Sequence, residues 1–314
     1  MASTRNFDAE LATVNAAANL PPDEALPVLR QALAHRNNLI VSRAARHAEI
    51  LKLTTLLPDL VAAFHRFMPP HGPVKTDPQC WAKNELSKAL AAFEAQEPDL
   101  FLAGVQHHQL EGTWGGTSDT AGALRGTCAL ALVQCRELAS DKLLRHLTPL
   151  FADKDLPVRI NAARAIEQVG SDSAALLLRL RAELGSDEPE LLGACLGGVL
   201  RLDGEPALPW VAAFLPHQDD LAAEAAFVLA EHRSPAAVPY LQKAYTTARE
   251  PAFRNAIIAA LASTRLEEAT TWLLAQLTQR NRDASTIAAA LWDASPSEET
   301  AKQLTTLGYS RPPR

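Results

Sequence analysis

The sequence predicts an all-α chain, a right-handed α-solenoid of about eight stacked helix pairs. Three observations carry that prediction. Ala and Leu dominate, and no run of Val, Ile and Thr alternates at period two, so helices are expected nearly everywhere. The stretch Asp153 to Gly170, DKDLPVRINAARAIEQVG, reads as an acidic turn, a Pro-Val-Arg helix start, a small-residue helix and a terminating Gly, and its plan recurs in degraded form along the chain. At 314 residues the chain is too long for one compact core in most architectures, whereas a repeat array buries its core between neighbours.

Taken in order, residues 7–19 read as a helix that caps the array, within a capping segment placed at 1–22. Leu20-Pro21-Pro22-Asp23-Glu24 then gives a Pro at a helix start and two acids in the first turn. From there A and B helices alternate. The A helices are expected near 23–35, 56–67, 97–108, 141–151, 172–184, 205–215, 235–247, 266–278 and 297–306. The B helices are expected near 39–53, 78–95, 121–138, 156–169, 188–201, 219–231, 250–263 and 282–293. A single array over 23–309 and a disordered tail at 310–314 complete the layout.

Laid over one another without gaps, the B helices give two columns. The position of Ile166 is filled by Ile50, Leu90, Leu132, Val199, Leu229, Leu261 and Leu291. The preceding position, Ala165, is small or apolar throughout, except for Glu49. A large residue that fills the space between repeats, beside a small one that lets backbones approach, is what stacked helix pairs require.

A third column is polar. Arg159 corresponds to Arg43, Lys83, Arg125 and Arg254, and six residues before the first four bases stand Asn37, Asp77, Asp119 and Asp153. With Val158-Arg159, Ala162-Ala163, Ile166 and Gly170, this pattern resembles the HEAT-repeat family in its short bacterial form, similar to the repeats of phycobilisome-lyase-type proteins. The resemblance covers about residues 23 to 306 and speaks to fold far more than to function. It implies a ladder in which turn acids bond B-helix bases. The rungs carried over are Asn37/Arg43, Asp77/Lys83, Asp119/Arg125 and Asp153/Arg159. Later repeats place Ser186, Pro216, Ala248 and Thr278 at the acidic position and are expected to rely on apolar packing.

Spacing along the basic column exposes two swollen turns, 68–76 (MPPHGPVKT) and 110–118 within QLEGTWGGTS. Both join an A helix to its B helix in adjacent repeats, so they are expected side by side on one edge, touching, with no β-sheet. Long loops in compact arrays are often functional. This edge gathers the candidate binding residues His71, Lys75, His107, His108, Glu111 and Trp114. Trp114 has two expected fates: folded inward against Pro69, Pro70 and Pro73, or left exposed as an anchor for a partner.

Other chemistry is disfavoured. Adjacent histidines on a helix point about 100° apart, which argues against one metal held by His107 and His108 with Glu111. Asp77 and Asp119 look like a carboxylate pair, but the ladder accounts for both. Deoxyhypusine hydroxylase, a catalytic HEAT array, holds two irons through His-Glu pairs on B helices. Here the most similar stretch has Ala223 before Glu224, so that site is not expected, and no catalytic residue, metal or cofactor is assigned. A net charge of −6 and a mixed column of Lys52, Gln134, Gln168, Arg201, Glu231, Ser263 and Asp293 on the concave face argue against nucleic acid. Four cysteines without a CxxC read as buried free thiols, and the chain lacks a secretory signal pattern or a membrane span, so a cytoplasmic location is expected. The expected function is a non-enzymatic scaffold or adaptor that binds a protein or peptide through its concave surface or the swollen edge. The alternative is an enzyme or lyase-like accessory protein with a small-molecule pocket at that edge.

Overall fold

A computed structural model describes residues 2–72, 74–278 and 282–311, with side chains from residue 7 onward. Pro73 and the end of the expected tail, 312–314, lie outside the described residues. The contacts gather into two compact units, Met1–Val169 and Gly170–Arg314.

In the first unit, α1 (Ala2–Ala16) precedes four helix pairs: α2 (Pro22–Leu33) with α3 (Asn38–Ile50), α4 (Leu57–Phe67) with α5 (Trp81–Ala92), α6 (Pro98–Val105) with α7 (Gly122–Val133), and α8 (Ser140–Leu147) with α9 (Leu156–Val169). The second members pack on one another in a row, α3 on α5, α5 on α7 and α7 on α9. The second unit repeats the scheme with α10 (Asp172–Leu184) and α11 (Pro189–Asp203), α12 (Leu208–Ala212) and α13 (Asp220–Glu231), α14 (Val238–Thr247) and α15 (Pro251–Ser263), and α16 (Glu267–Thr278) and α17 (Ala284–Asp293). The helix α18 (Glu298–Thr306) follows.

Local chemistry sets the ends. Pro22, Pro98, Pro189 and Pro251 each occupy the first position of a helix, where the missing N–H costs nothing. Lys52, Glu94, Arg233, Arg265 and Ser295 end B helices in the left-handed region, as Gly170 and Gly204 do with less strain. The large column is buried from Leu90 through Leu291.

Two expectations need correction. Ile50 is 58% exposed, so the first B helix does not fit the column as aligned. Sliding it by two residues places Val41 opposite Lys83 and Ala48 opposite Leu90, all buried, while His47 then stands in the small column. The chain also carries a β-hairpin: β1 (Leu110–Thr113) pairs antiparallel with β2 (Gly116–Asp119), Leu110 facing Asp119 and Thr113 facing Gly116. The hairpin occupies the second swollen turn, and Gly115 at φ +90° supplies the positive dihedral its two-residue turn needs.

Candidate functional site

The hairpin is held to the start of α5 by buried polar groups. The Asp77 side chain is wholly buried and accepts hydrogen bonds from Asn38 Nδ2 (3.0 Å), Ala82 N (2.9 Å) and Lys83 N (3.1 Å). Lys83 Nζ lies 3.0 Å from its Oδ2, with the two side chains 1% and 0% exposed. Gln109, also wholly buried, donates from Nε2 to the Asp77 carbonyl (2.8 Å) and to Glu111 Oε1 (2.5 Å). Glu111 accepts further bonds from Gln79 N (2.8 Å), Gln79 Nε2 (3.1 Å) and Thr120 Oγ1 (2.9 Å). Gln79 and Cys80 are consecutive left-handed residues, at φ 60° and 53°, a conformation that costs free energy unless its surroundings fix it. The Glu111 carboxylate on the Gln79 N–H is such a fixing contact.

The far side of the hairpin is anchored to the next repeat. Asp119 accepts from Gln109 N (3.0 Å), Ala121 N (3.0 Å), His108 Nδ1 (2.8 Å) and Arg125 Nη1 (2.8 Å). Arg125, 2% exposed, donates to both Asp153 oxygens (2.7 and 3.1 Å) and to the His107 carbonyl (3.0 Å). Arg159 donates to the Asp153 carbonyl (2.8 Å). Arg125, unlike Lys83, therefore reaches the turn acid of the next repeat. Arg254 does the same to Asp283 (2.8 Å), which also accepts from Tyr245 (3.0 Å). Asp283 does not stand six residues before a base, so the spacing rule passes over it. Asn37 and Arg43 form no such rung: Asn37 caps α3 through Leu39 N and Ile40 N, Arg43 is exposed, and Asn38 makes the bond to Asp77.

The candidate residues thus divide. Glu111 is consumed in docking, and His107, half-buried, sits 3.4 Å from Gln109 Oε1. Both histidines follow the end of α6 rather than sharing a helix. His71 and Lys75 are exposed in the first swollen turn. The bonds joining the two swollen regions run through Asp77 and Gln79, just past that turn, a docking role that nothing in the sequence signals for Gln79, Gln109 or Thr120. Trp114 stands at the hairpin tip, 105% exposed, so the inward fate is not taken. Leu110 (68%), Trp81 and Val74 are exposed as well.

Leu110 and Asp119 face each other across the hairpin and line a cleft of about 780 Å³ whose other wall is α8 and the turn before α9. In the second unit, Glu231, Ser263 and Asp293 line a groove of about 830 Å³ together with Phe227, Arg233 and Arg265, and its charges are mixed in sign. Among the described residues no group of three or more His, Cys, Asp or Glu side chains is placed to hold a metal, and no helix is long and apolar enough to cross a membrane. The four cysteines are free and buried, and burial raises the thiol pKa of Cys80 to about 11 and of Cys195 to about 12.

Burial alone would raise the carboxyl pKa of Asp119 and of Glu111. For Asp119 the bonds from Gln109 N, His108 and Ala121 N and the Arg125 charge outweigh it. For Glu111 the bonds from Gln109, Gln79 N and Thr120 do so, and both carboxyls are held below their ordinary values. A depressed folded-state pKa stabilises above the unfolded value and loses that contribution as pH falls through the folded value. Hairpin docking is therefore expected to hold from neutral pH down to about 4 and to weaken below it. Protection of the Gln79 and Gln109 amides against hydrogen exchange, corrected for intrinsic rates, reads this directly. Burial lowers the His107 pKa, which favours the neutral ring.

Comparison with known proteins bears on the repeats. The family model described as HEAT repeats matches residues 202–292. That segment carries HEAT repeats. The chain is similar to a solved structure of the complex of CpcE and CpcF of phycocyanin lyase from Nostoc sp. PCC7120, at 16% identity and TM-score 0.41, covering 80% of this chain and 93% of that one. It is also similar to human deoxyhypusine hydroxylase in complex with glycerol, at 20% identity and TM-score 0.29, covering 82% and 95%. No curated protein matches it in sequence.

Proposed function

We propose that the protein is a non-enzymatic scaffold or adaptor that engages a protein or peptide partner through the edge built on the hairpin. The observation that carries this reading is Trp114, fully exposed at the tip of a hairpin whose base is fixed by Glu111, Gln109 and Asp119. Tryptophan is a common anchor of interfaces because it covers much area at small entropic cost, and presentation on a held element reduces that cost further. Exposed Leu110 and Trp81 lie on the hairpin and at the α5 start to which it is docked. The groove on the second unit is an additional surface for an extended partner.

A second reading has one observation in its favour. The cleft beside Leu110 has a volume within the range of small-molecule pockets, as a lyase-like accessory protein would need. One experiment separates the two. Tagged wild-type protein, Trp114→Ala and a variant trimmed of residues 112–117 are used as baits in the native host, with circular dichroism to check helix content. The scaffold reading expects a defined protein partner that both variants lose while staying folded. Undiminished capture by folded variants rejects it, and a coloured or ultraviolet-absorbing small molecule that copurifies in its place supports the second.

A further inference from the structure

We propose that the cleft between the hairpin and the α8–α9 turn receives an acidic segment of the partner that also carries apolar side chains. The inference deepens the edge reading above and rests on it. The floor of the cleft is apolar, formed by Val105, Leu110, Pro149 and Leu150.

The charges around it are unequally available. Arg125 is spent on Asp119 and Asp153, and Asp153 is almost wholly buried with its oxygens on Arg125 and the Asp155 N–H. Asp119 has both oxygens engaged by donors. Asp155 lies against Gly122, so closely that a Cβ there would overlap its carboxylate. Arg145 and Lys154 are exposed, His146 is half-buried, and among the described residues none of their side chains has a hydrogen bond or an ion pair. His108 joins them from the hairpin wall, its exposed ring on Asp119.

With Asp119 and Asp153 bonded to internal donors, Asp155 partly buried, and Arg145 and Lys154 exposed and unpaired, the accessible rim has a positive character, although the formal charges of the lining side chains cancel. A basic rim over an apolar floor complements a segment in which carboxylates and aliphatic side chains interleave. A sugar-phosphate backbone offers no aliphatic side chains to cover Leu110 and Leu150, which makes nucleic acid the poorer fit. The groups on the partner are carboxylates spaced to meet Arg145 and Lys154 while their neighbours cover Leu110.

The test is fluorescence anisotropy of the full chain with three probes: a peptide of alternating Glu and Leu, its Lys and Leu counterpart, and a single-stranded oligonucleotide. The expected result is binding of the Glu–Leu peptide at least about tenfold tighter than either other probe. That preference is lost in Arg145→Glu/Lys154→Glu, whose exposed sites leave helix content unchanged, and rising salt weakens it in the wild type. The salt series decides the matter on wild-type protein if the double variant unfolds. Absence of Glu–Leu binding, equal binding of the oligonucleotide, or indifference to both charge reversal and salt overturns the proposal. If Trp114→Ala still abolishes partner capture in that case, the edge reading stands without it.

Discussion

Lys83→Met is expected to destabilise the Met1–Val169 unit by roughly 3–5 kcal/mol, because it removes one member of a buried ion pair and strands the other. The Lys83 ammonium is 1% exposed, and Asp77, against it, has no access to water. Methionine fills most of the vacated volume, so cavity formation adds little and the loss reports the uncompensated carboxylate. Asp77 cannot turn away, since Asn38, Ala82 N and Lys83 N fix both its oxygens. A melt followed by circular dichroism is expected to show a transition lowered by on the order of 10 °C. Adding Asp77→Asn to Lys83→Met is expected to recover part of the loss, because the amide keeps one acceptor oxygen for an α5 N–H and removes the buried charge. An unchanged midpoint for Lys83→Met contradicts the assignment of this pair as a structural bond.

Arg125→Leu is the second large effect. The guanidinium spans three groups from two repeats: the Asp119 carboxylate, both oxygens of Asp153, and the His107 carbonyl. Its loss leaves the nearly buried Asp153 without its cation and unties the hairpin from the following repeat, at a cost of roughly 3–5 kcal/mol. Arg125→Lys is expected to restore only a fraction, because a single ammonium cannot reproduce a two-pronged contact with Asp153 while also reaching Asp119. Chemical denaturation of the three proteins orders them as wild type, Lys, Leu. Equal stability of the Lys variant and the wild type argues that simple charge, not geometry, holds the junction.

The fold was legible because its signal is repeated: helix starts at Pro22, Pro98, Pro189 and Pro251, and the column from Leu90 to Leu291, reinforce one another. In the first repeat the reinforcement fails. In α3 the exposed Ile50 marks a register two residues off, and the rung assigned to Asn37 and Arg43 fails with it. The hairpin was illegible for a different reason. Two four-residue strands carry little periodic pattern, and Gly112, Gly115 and Gly116 read as loop freedom. Only the Trp114-Gly115 step between LEGT and GTSD hinted at a tight turn. Glu111 and His107 were singled out as binding groups because titratable residues in a long loop attract that reading. Their partners, the buried Gln109 and the left-handed Gln79, are defined by tertiary contacts that spacing does not encode. Asp283 escaped because Ala289, not a base, stands six residues after it.

The role proposed for the hairpin is that of a held platform that presents Trp114 to a protein partner. The most direct measurement is site-specific photo-crosslinking in the native host, with a photoreactive phenylalanine analogue in place of Trp114 and, as a control, of the exposed Leu184 on α10. The predicted result is a discrete crosslinked protein from position 114 that is absent from position 184. The same pattern from both positions, or no protein adduct from position 114, would contradict it.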